Sequence, residues 1–370
     1  MASNRVIIHA DFDYFYAQCE ERENPTLKDK PVVVCIYSGR SEDSGAVSTA
    51  NYIARKYGVK AGISIVMAKR KLKNTDAVFL PANFELYEKV SESIMNTLRT
   101  YGDAFEQTGI DEAFMDVTQR VNGDFEIAKQ LAQKIQKEIF EKEKITVSIG
   151  VGPNKLIAKI AAGKRKPHGL TVVTPEEIEN FLAPLPVNEL IGVGKKTAAV
   201  MEEMGIKTIS DLANYDLEKL VKKFGKLLGV YFHNAALGID ESPVKERGTV
   251  ESISRIVTLK DDTRDLDKIL ENAYEICIDI QARANRANLS FKSVTIYVVL
   301  QDMHSHSRSK TFEAPVDSLE MLKEATKELF QRLLHDTPEE LKVRRIGVKI
   351  SNFIHGKQSQ KQLTEFVKES

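Results

Sequence analysis

The chain has 370 residues, room for roughly two to four domains, and its 42% hydrophobic and 29% charged residues are a soluble globular composition that excludes a disordered chain. Lys+Arg and Asp+Glu each total 53, giving a net charge of zero, which excludes a uniformly basic nucleic-acid coat but leaves room for a local basic face. No run reaches the ~18 apolar residues of a membrane span, no signal-peptide core opens the chain, and Cys19, Cys35 and Cys277 are too scattered for a disulfide framework or a cysteine zinc site, as expected in a reducing cytoplasm.

In chain order, residues 5–10 (RVIIHA) read as a buried strand with Asp11 and Asp13 at its C-terminal end. Residues 14–23 read as a helix that stops before Pro25, 31–37 as a second buried strand, and 38–45 (SGRSEDSG) as a polar loop. Helices follow over 49–57, closed by Gly58, and over 65–72. A strand over 77–81 precedes an amphipathic helix over 85–101. In residues 105–117 (FEQTGIDEAFMDV), apolar residues flank a Gly-Ile-Asp-Glu core, which predicts a hairpin with its turn near Gly109. A helix over 125–143, a strand over 145–152 and a helix from Pro153 to Gly163 complete an α+β sheet domain.

Residues 175–238 read as helical, with short glycine turns at 191–194, 205 and 225, and 239–249 as a charged linker around Pro243. Then come a strand (251–260), helix (265–286), two strands (290–301 and 306–313), helix (318–335) and strand (343–352), the βαββαβ order of a ferredoxin-like module. Its strands hold eight basic against two acidic residues, while its helical segments are acidic on balance. With both helices on one face, the opposite face is expected to be basic, and Arg345 and Lys349 alternate with core residues in the last strand. The polar tail after Gly356 reads as loose.

Asp11 ends a strand, and Asp111 and Glu112 sit at a hairpin turn a hundred residues later; two such tips can lie side by side in one sheet. Three clustered carboxylates repel one another unless a cation lies between them. Mg²⁺ takes one or two carboxylates alongside substrate phosphates, and a pair of such ions serves phosphoryl transfer. Turns favour Asp in any protein, so ordinary exposed turn acids are the competing reading, and spacing alone leaves both open.

The ordered blocks ADFDYFYAQCE (10–20), SGAVSTANYIARKYGVKAG (44–62), GIDEAFMDV (109–117), SIGVGPNKLIAKIAAGKRKPHG (148–169) and LIGVGKKTAAVMEEMGI (190–206) together resemble the Y-family DNA polymerases, the lesion-bypass class, most closely the DNA polymerase IV branch in an archaeal-type form. The resemblance implies a multidomain α+β fold. Residues 1–14 and 78–169 would form a palm with an α/β sheet, and 15–77 the fingers. Residues 170–238 would form a helical thumb with a helix–hairpin–helix, 239–249 a linker, 250–355 the ferredoxin-like little finger, and 356–370 a flexible tail. One departure is Gly109, where the family usually has Ser before Ile-Asp-Glu.

Carried over by position, Asp11 and Asp111 match the metal-bridging aspartates, Glu112 the acid on the primer 3′-OH side, and Phe12 a backbone carbonyl ligand of the nucleotide metal. Asp13 matches no ligand and reads as structural. Tyr16 matches the aromatic that leaves no room for a ribose 2′-OH; a core tyrosine is the alternative. Thr49, Tyr52 and Arg55 lie three apart on the expected helix, so they would share a face suited to a triphosphate, and Lys159 matches a phosphate-contacting lysine. GVGKKT at 192–197 fails the P-loop spacing. Gly192, Val193, Gly194 and Lys195 instead fit a hairpin presenting backbone N–H groups to a DNA phosphate, against a plain interhelix turn. Arg255, Arg308, Arg345 and Lys349 on the basic strands are the expected DNA contacts, and His304 and His306 read as exposed turn residues. In the tail, Gln360, Leu363, Phe366 and Val367 resemble a sliding-clamp-binding peptide, with Val367 where a second aromatic is usual; one more turn of helix is the alternative.

The function so implied is error-prone, template-directed DNA synthesis for lesion bypass in DNA repair, with two Mg²⁺ ions (Mn²⁺ as an alternative) and no proofreading exonuclease. The implied partners are primer-template DNA, deoxynucleoside triphosphates and a sliding clamp, for a monomer in the cytoplasm with no membrane attachment. Two other classes compete. A palm-type nucleotide cyclase would need no grip on a duplex, and a non-catalytic DNA-binding scaffold would need no acid cluster. Primer extension with Mg²⁺ separates the three.

Overall fold

A computed structural model describes residues 5–246, 248 and 250–355. The chain divides into two compact units. The first is built on a five-stranded sheet. The N-terminal elements of the chain, of which residues 37–46 and 64–66 group with the second unit, are β1 (Ile7–Phe12), α1 (Phe15–Glu23), β2 (Val32–Tyr37), β3 (Gly45–Ala50), α2 (Tyr52–Lys56), α3 (Ile65–Lys71), β4 (Val78–Pro81) and α4 (Phe84–Arg99). The predicted hairpin forms as β5 (Ala104–Gln107) and β6 (Glu112–Asp116), followed by α5 (Phe125–Glu143), β7 (Val147–Gly152), α6 (Lys155–Gly163) and β8 (Leu170–Val172). Strands β5-β6-β1-β7-β8 make the main sheet, and β3-β2-β4 a smaller one.

Alternation along β1 sorts its residues onto two faces. Ile8, Ala10 and Phe12 point into a core with Tyr87, Ile94 and Leu98 of α4 and Ile135 and Ile139 of α5. Ile7, His9 and Asp11 point to the face covered by α6. That helix approaches closely because β7 carries Gly150, where a Cβ would stand 2.0 Å from the Ala158 carbonyl oxygen. Asn154, rather than Pro153, starts α6: its side chain accepts from Ile157 N at 2.9 Å.

One expectation fails in the fingers-like stretch. Residues 49–57 are not one helix, because β3 occupies the start and Thr49 lies on that strand. β-Branched Val47 and Thr49 favour extended backbone. Asn51 then takes the N-cap position, its side chain accepting from Ala54 N at 3.0 Å, so α2 begins only at Tyr52. Thr49 therefore shares no helix face with Tyr52 and Arg55. The three-residue β8 also went unanticipated, being too short for a periodic signal.

Beyond this sheet lies a helical stretch with α7 (Ile178–Leu182), α8 (Lys195–Glu203), α9 (Ile209–Ala213) and α10 (Leu217–Ala236), the last kinked at Gly225, whose φ of 81° is left-handed. Residues 240–246 are pinned to the first unit. Asp240 accepts from Leu156 N at 3.1 Å, and Val244 packs with Ile7, Phe114 and Ala158.

The second unit has the predicted βαββαβ order: β9 (Ser252–Thr263), α11 (Leu266–Arg286), β10 (Leu289–Leu300), β11 (Ser305–Val316), α12 (Leu319–Asp336) and β12 (Val343–His355). The sheet is antiparallel in the order β11-β10-β12-β9, so β12 splits the two strands joined by α11. Register takes two of the four expected DNA contacts off the open face. Arg255 pairs with Val348 and Arg308 with Ile296, both core residues, which puts these arginines on the helix-covered face. Both sit on edge strands, and their long stems reach acids on the helices: Arg255 lies 3.7 Å from Asp279 and Arg308 3.0 Å from Asp336. Arg345 and Lys349 do occupy the open face, beside Thr258, Ser254, Thr295 and Tyr297. That face is richer in hydroxyls than in cations.

Candidate active site

Pairing of β1 with β6 sets Asp11 directly opposite Glu112, and Phe12 N donates to the Asp111 carbonyl oxygen at 2.8 Å. Three carboxylates thus meet at one end of the main sheet. Burial, then the charges of Asp11 and Glu112, push the Asp111 carboxyl above its ordinary value. Glu112 moves the other way, to well below the usual range, through His9 and then the Lys159 ammonium, against the effect of burial. Lys159 Nζ lies 2.5 Å from Glu112 Oε2, and the Thr108 hydroxyl donates to Oε1 at 3.1 Å. Lys166 makes the matching ion pair with Asp11.

Among the described residues, no three acids, histidines or cysteines form a cage that would hold a metal on its own. A hard ion that keeps only one or two carboxylates, and takes its remaining oxygens from water and phosphates, needs no such cage. The donors here are all oxygen, and a cation would relieve the crowding that raises Asp111. The residues therefore fit such an ion. Asp13 is different: it is wholly buried and accepts from Ser148 Oγ at 2.7 Å, Thr146 Oγ1 at 2.9 Å and His168 N at 2.8 Å, a brace between strands.

Tyr16 stands at the edge of the cluster. Its ring stacks on Tyr87 at 4.3 Å and meets Phe84 edge-on, and burial, then the Asp111 charge, raises its hydroxyl pKa. The Tyr52 hydroxyl is raised by burial and by Asp13, with Asp11 also acting on it. Arg55 is exposed, lies over the Tyr52 ring at 4.8 Å and donates from Nε to the Ala50 carbonyl at 2.8 Å. Phe12 is buried, so only its backbone is available to a ligand.

In the helical stretch, Gly192 turns with φ of 86°, Val193 is buried in the local core, and Gly194 caps α8, which opens with Lys195. The Tyr231 hydroxyl pins this turn by donating to the Ile191 carbonyl at 2.8 Å. Gln360, Leu363, Phe366 and Val367 lie outside the described residues. His9, Thr108 and Lys166 were missed from sequence. His9 was within reach, since period two places it on the face of Asp11; Lys166 contacts an acid 155 positions away, which no local pattern reveals.

Residues 10–163 match the impB/mucB/samB family, residues 250–364 that family's C-terminal domain, and residues 188–240 a model described as the DNA polymerase-iota thumb domain. The chain is 46% identical over 363 residues to DNA polymerase IV of Nitrosopumilus maritimus, covering 98% of this chain and 99% of that one. It is 46% identical over 368 residues to DNA polymerase IV of Methanosarcina acetivorans, with the same coverage. Among solved structures it is similar to a Y-family DNA polymerase chimera, Dbh-Dpo4(243-245)-Dbh, with a TM-score of 0.89 at 40% identity over 94% of this chain and 99% of that one. An insertion ternary complex of Dbh DNA polymerase matches with a TM-score of 0.68 at 40% identity and the same coverage.

Proposed function

The chain belongs to the Y-family DNA polymerases, the impB/mucB/samB family, and we propose that its Asp11, Asp111 and Glu112 carry the chemistry of a DNA-directed DNA polymerase of the translesion type. The observation that carries this reading is the pairing of Asp11 with Glu112 beside Asp111, at a sheet end where burial and then the charges of Asp11 and Glu112 raise the Asp111 carboxyl. The relatives are named polymerases, which favours neither a cyclase nor a scaffold.

The enzyme depends on divalent metal, as its relatives imply, and acts on DNA with deoxynucleoside triphosphates. Two Mg²⁺ ions, or Mn²⁺, are the proposed cofactors, held by Asp11, Asp111, Glu112 and the Phe12 carbonyl. When bound, they would polarise the attacking 3′-oxygen and neutralise the departing pyrophosphate. The chain's own residues supply the rest. Tyr16, packed on Tyr87, closes the space a 2′-OH would need. Lys159 leaves Glu112 for the triphosphate, and Tyr52 with Arg55 stacked on it grips the same group. Thr49 joins them from β3 rather than from a shared helix face. Gly192, Val193, Gly194 and Lys195 meet DNA phosphates, and Arg345 and Lys349 meet them on the open face of the second unit. In domain terms, residues 1–14 and 78–169 would be the palm, 15–77 the fingers, 170–238 the thumb and 250–355 the little finger. A monomer acting in the cytoplasm completes the proposal; among the described residues no helix is long and apolar enough to cross a membrane.

Primer extension with Mg²⁺ tests it. Asp11→Ala, Asp111→Ala and Glu112→Ala should each abolish extension, a loss of several kcal/mol of transition-state stabilisation, and leave primer-template binding largely intact. Near-normal extension by Asp111→Ala sinks the assignment. Tyr16→Ala should raise ribonucleotide over deoxyribonucleotide incorporation with a smaller loss of normal synthesis; unchanged sugar discrimination would make Tyr16 a packing residue.

A further inference from the structure

His9 is fully buried, and neither ring nitrogen has an aligned hydrogen-bond partner. A strand core takes Ile or Phe at such a position without difficulty, as the neighbouring Ile7 and Phe114 show, whereas a buried imidazole with no partner is costly. β1 places His9 two residues before Asp11 on the same face of the sheet, opposite Phe114 in register. The Phe114 ring packs against the imidazole with centroids 4.4 Å apart. On its other side, Nε2 lies 3.3 Å from Glu112 Oε2. A carboxylate only accepts, so the proton belongs on Nε2.

Glu112 Oε2 is shared. Lys159 holds it at 2.5 Å, while Oε1 takes the Thr108 hydroxyl. In the proposed reaction Lys159 goes to the triphosphate, and Oε2 then loses its closest donor just when the carboxylate must be held still. We infer that His9 is the positioning residue of Glu112: its Nε2–H turns onto Oε2 as Lys159 departs and keeps the carboxylate in place beside the primer terminus. A contact that is long and poorly aligned without substrate, and tightens with it, is common in catalytic sites. Partners behind a metal ligand fix its orientation in the same way. The inference rests on the assignment of Glu112 and Lys159 made above, and adds a residue to it.

His9→Phe keeps the ring and its packing on Phe114 and removes the N–H; His9→Gln restores an N–H donor of similar reach. His9→Phe should lower kcat for nucleotide addition about 10- to 100-fold with KM for the nucleotide little changed, and weaken Mn²⁺ binding to the enzyme–DNA complex, followed by electron paramagnetic resonance, by a similar factor. His9→Gln should recover most of both. In metal-free protein labelled with ¹⁵N-histidine, His9 should carry its proton on Nε2, and Glu112→Gln should shift that resonance. Wild-type kcat and Mn²⁺ affinity in His9→Phe would overturn the inference, as would a loss that tracks a fall in melting temperature and is not recovered by His9→Gln. Should His9→Phe fail to fold, the wild-type spectrum decides, and a proton on Nδ1 overturns it. Glu112→Ala separates the two levels. An active Glu112→Ala removes the assignment and the inference together, whereas an inactive one beside a normal His9→Phe removes the inference alone.

Discussion

Asp111 is held where the fold disfavours its charge. Its carboxyl is raised above the ordinary 3.8 by burial and then by Asp11 and Glu112. A carboxyl with a raised folded pKa costs stability once it ionises. The cost is absent below the unfolded value, grows as pH climbs past 3.8, and is complete above the folded value. Asp111→Asn should therefore stabilise the metal-free protein at neutral pH, by on the order of 1 kcal/mol, with the gain vanishing near pH ~3, while extension is lost. Thermal melts in chelator across that range check it; a variant melting at or below the wild type at neutral pH refutes it. At this scale the acids were legible, because ordered blocks surround them and strand tips are where a sheet gathers carboxylates. His9 was less so, since a lone histidine in an apolar strand reads as core. Lys166 was not legible, because only the tertiary fold brings it to Asp11.

At the level of elements, parity decides what a strand's charges do. Summing the charge of the four strands in the second unit pointed to a basic face, yet Arg255 and Arg308 share parity with core residues and pair with helix acids. The clue stood in β9, where Ile253, Arg255, Val257 and Leu259 occupy alternate positions. Arg308 offers less warning, because β11 is an edge strand that runs polar up to Phe312, so its apolar residues come only after the arginine. Reversing Arg345 and Lys349 to Glu should weaken primer-template binding and flatten its dependence on salt, because fewer phosphates are neutralised. Neutralising Arg255 and Arg308 should leave the salt slope within about one unit of the wild type. Equal effects from the two pairs would mean that the DNA follows a different path. The helix over 49–57 failed for a related reason: a capping Asn51 marks where a helix starts as firmly as apolar spacing marks its face.

For the whole chain, the joint between the units is shorter than the charged stretch 239–249 implied. Residues up to 246 are held on the first unit by Asp240, by the Pro243 carbonyl, which takes Lys155 Nζ at 3.4 Å, by buried Val244, and by Glu246, 3.5 Å from Arg99. A run of charge and Pro reads as a linker whether or not its few apolar residues dock elsewhere, so that anchoring was hidden. The tail beyond the described residues is polar, with Leu363, Phe366 and Val367 as apolar anchors, too few to form a core but enough to order in a hydrophobic pocket on a partner. We propose that partner to be a sliding clamp. Two separate binding sites, the DNA and a ring around it, would then hold one chain, and the clamp would raise the effective concentration of enzyme at the primer end. Removing residues 358–370 should leave extension of short primers unchanged without the clamp and abolish the stimulation that the clamp gives on long templates. Val367 in place of an aromatic should make the intact tail bind weakly, so Val367→Phe should strengthen the stimulation. A truncated enzyme that is still stimulated, or one that melts lower than the full chain, would show that the tail packs on its own protein and that the clamp is not its partner.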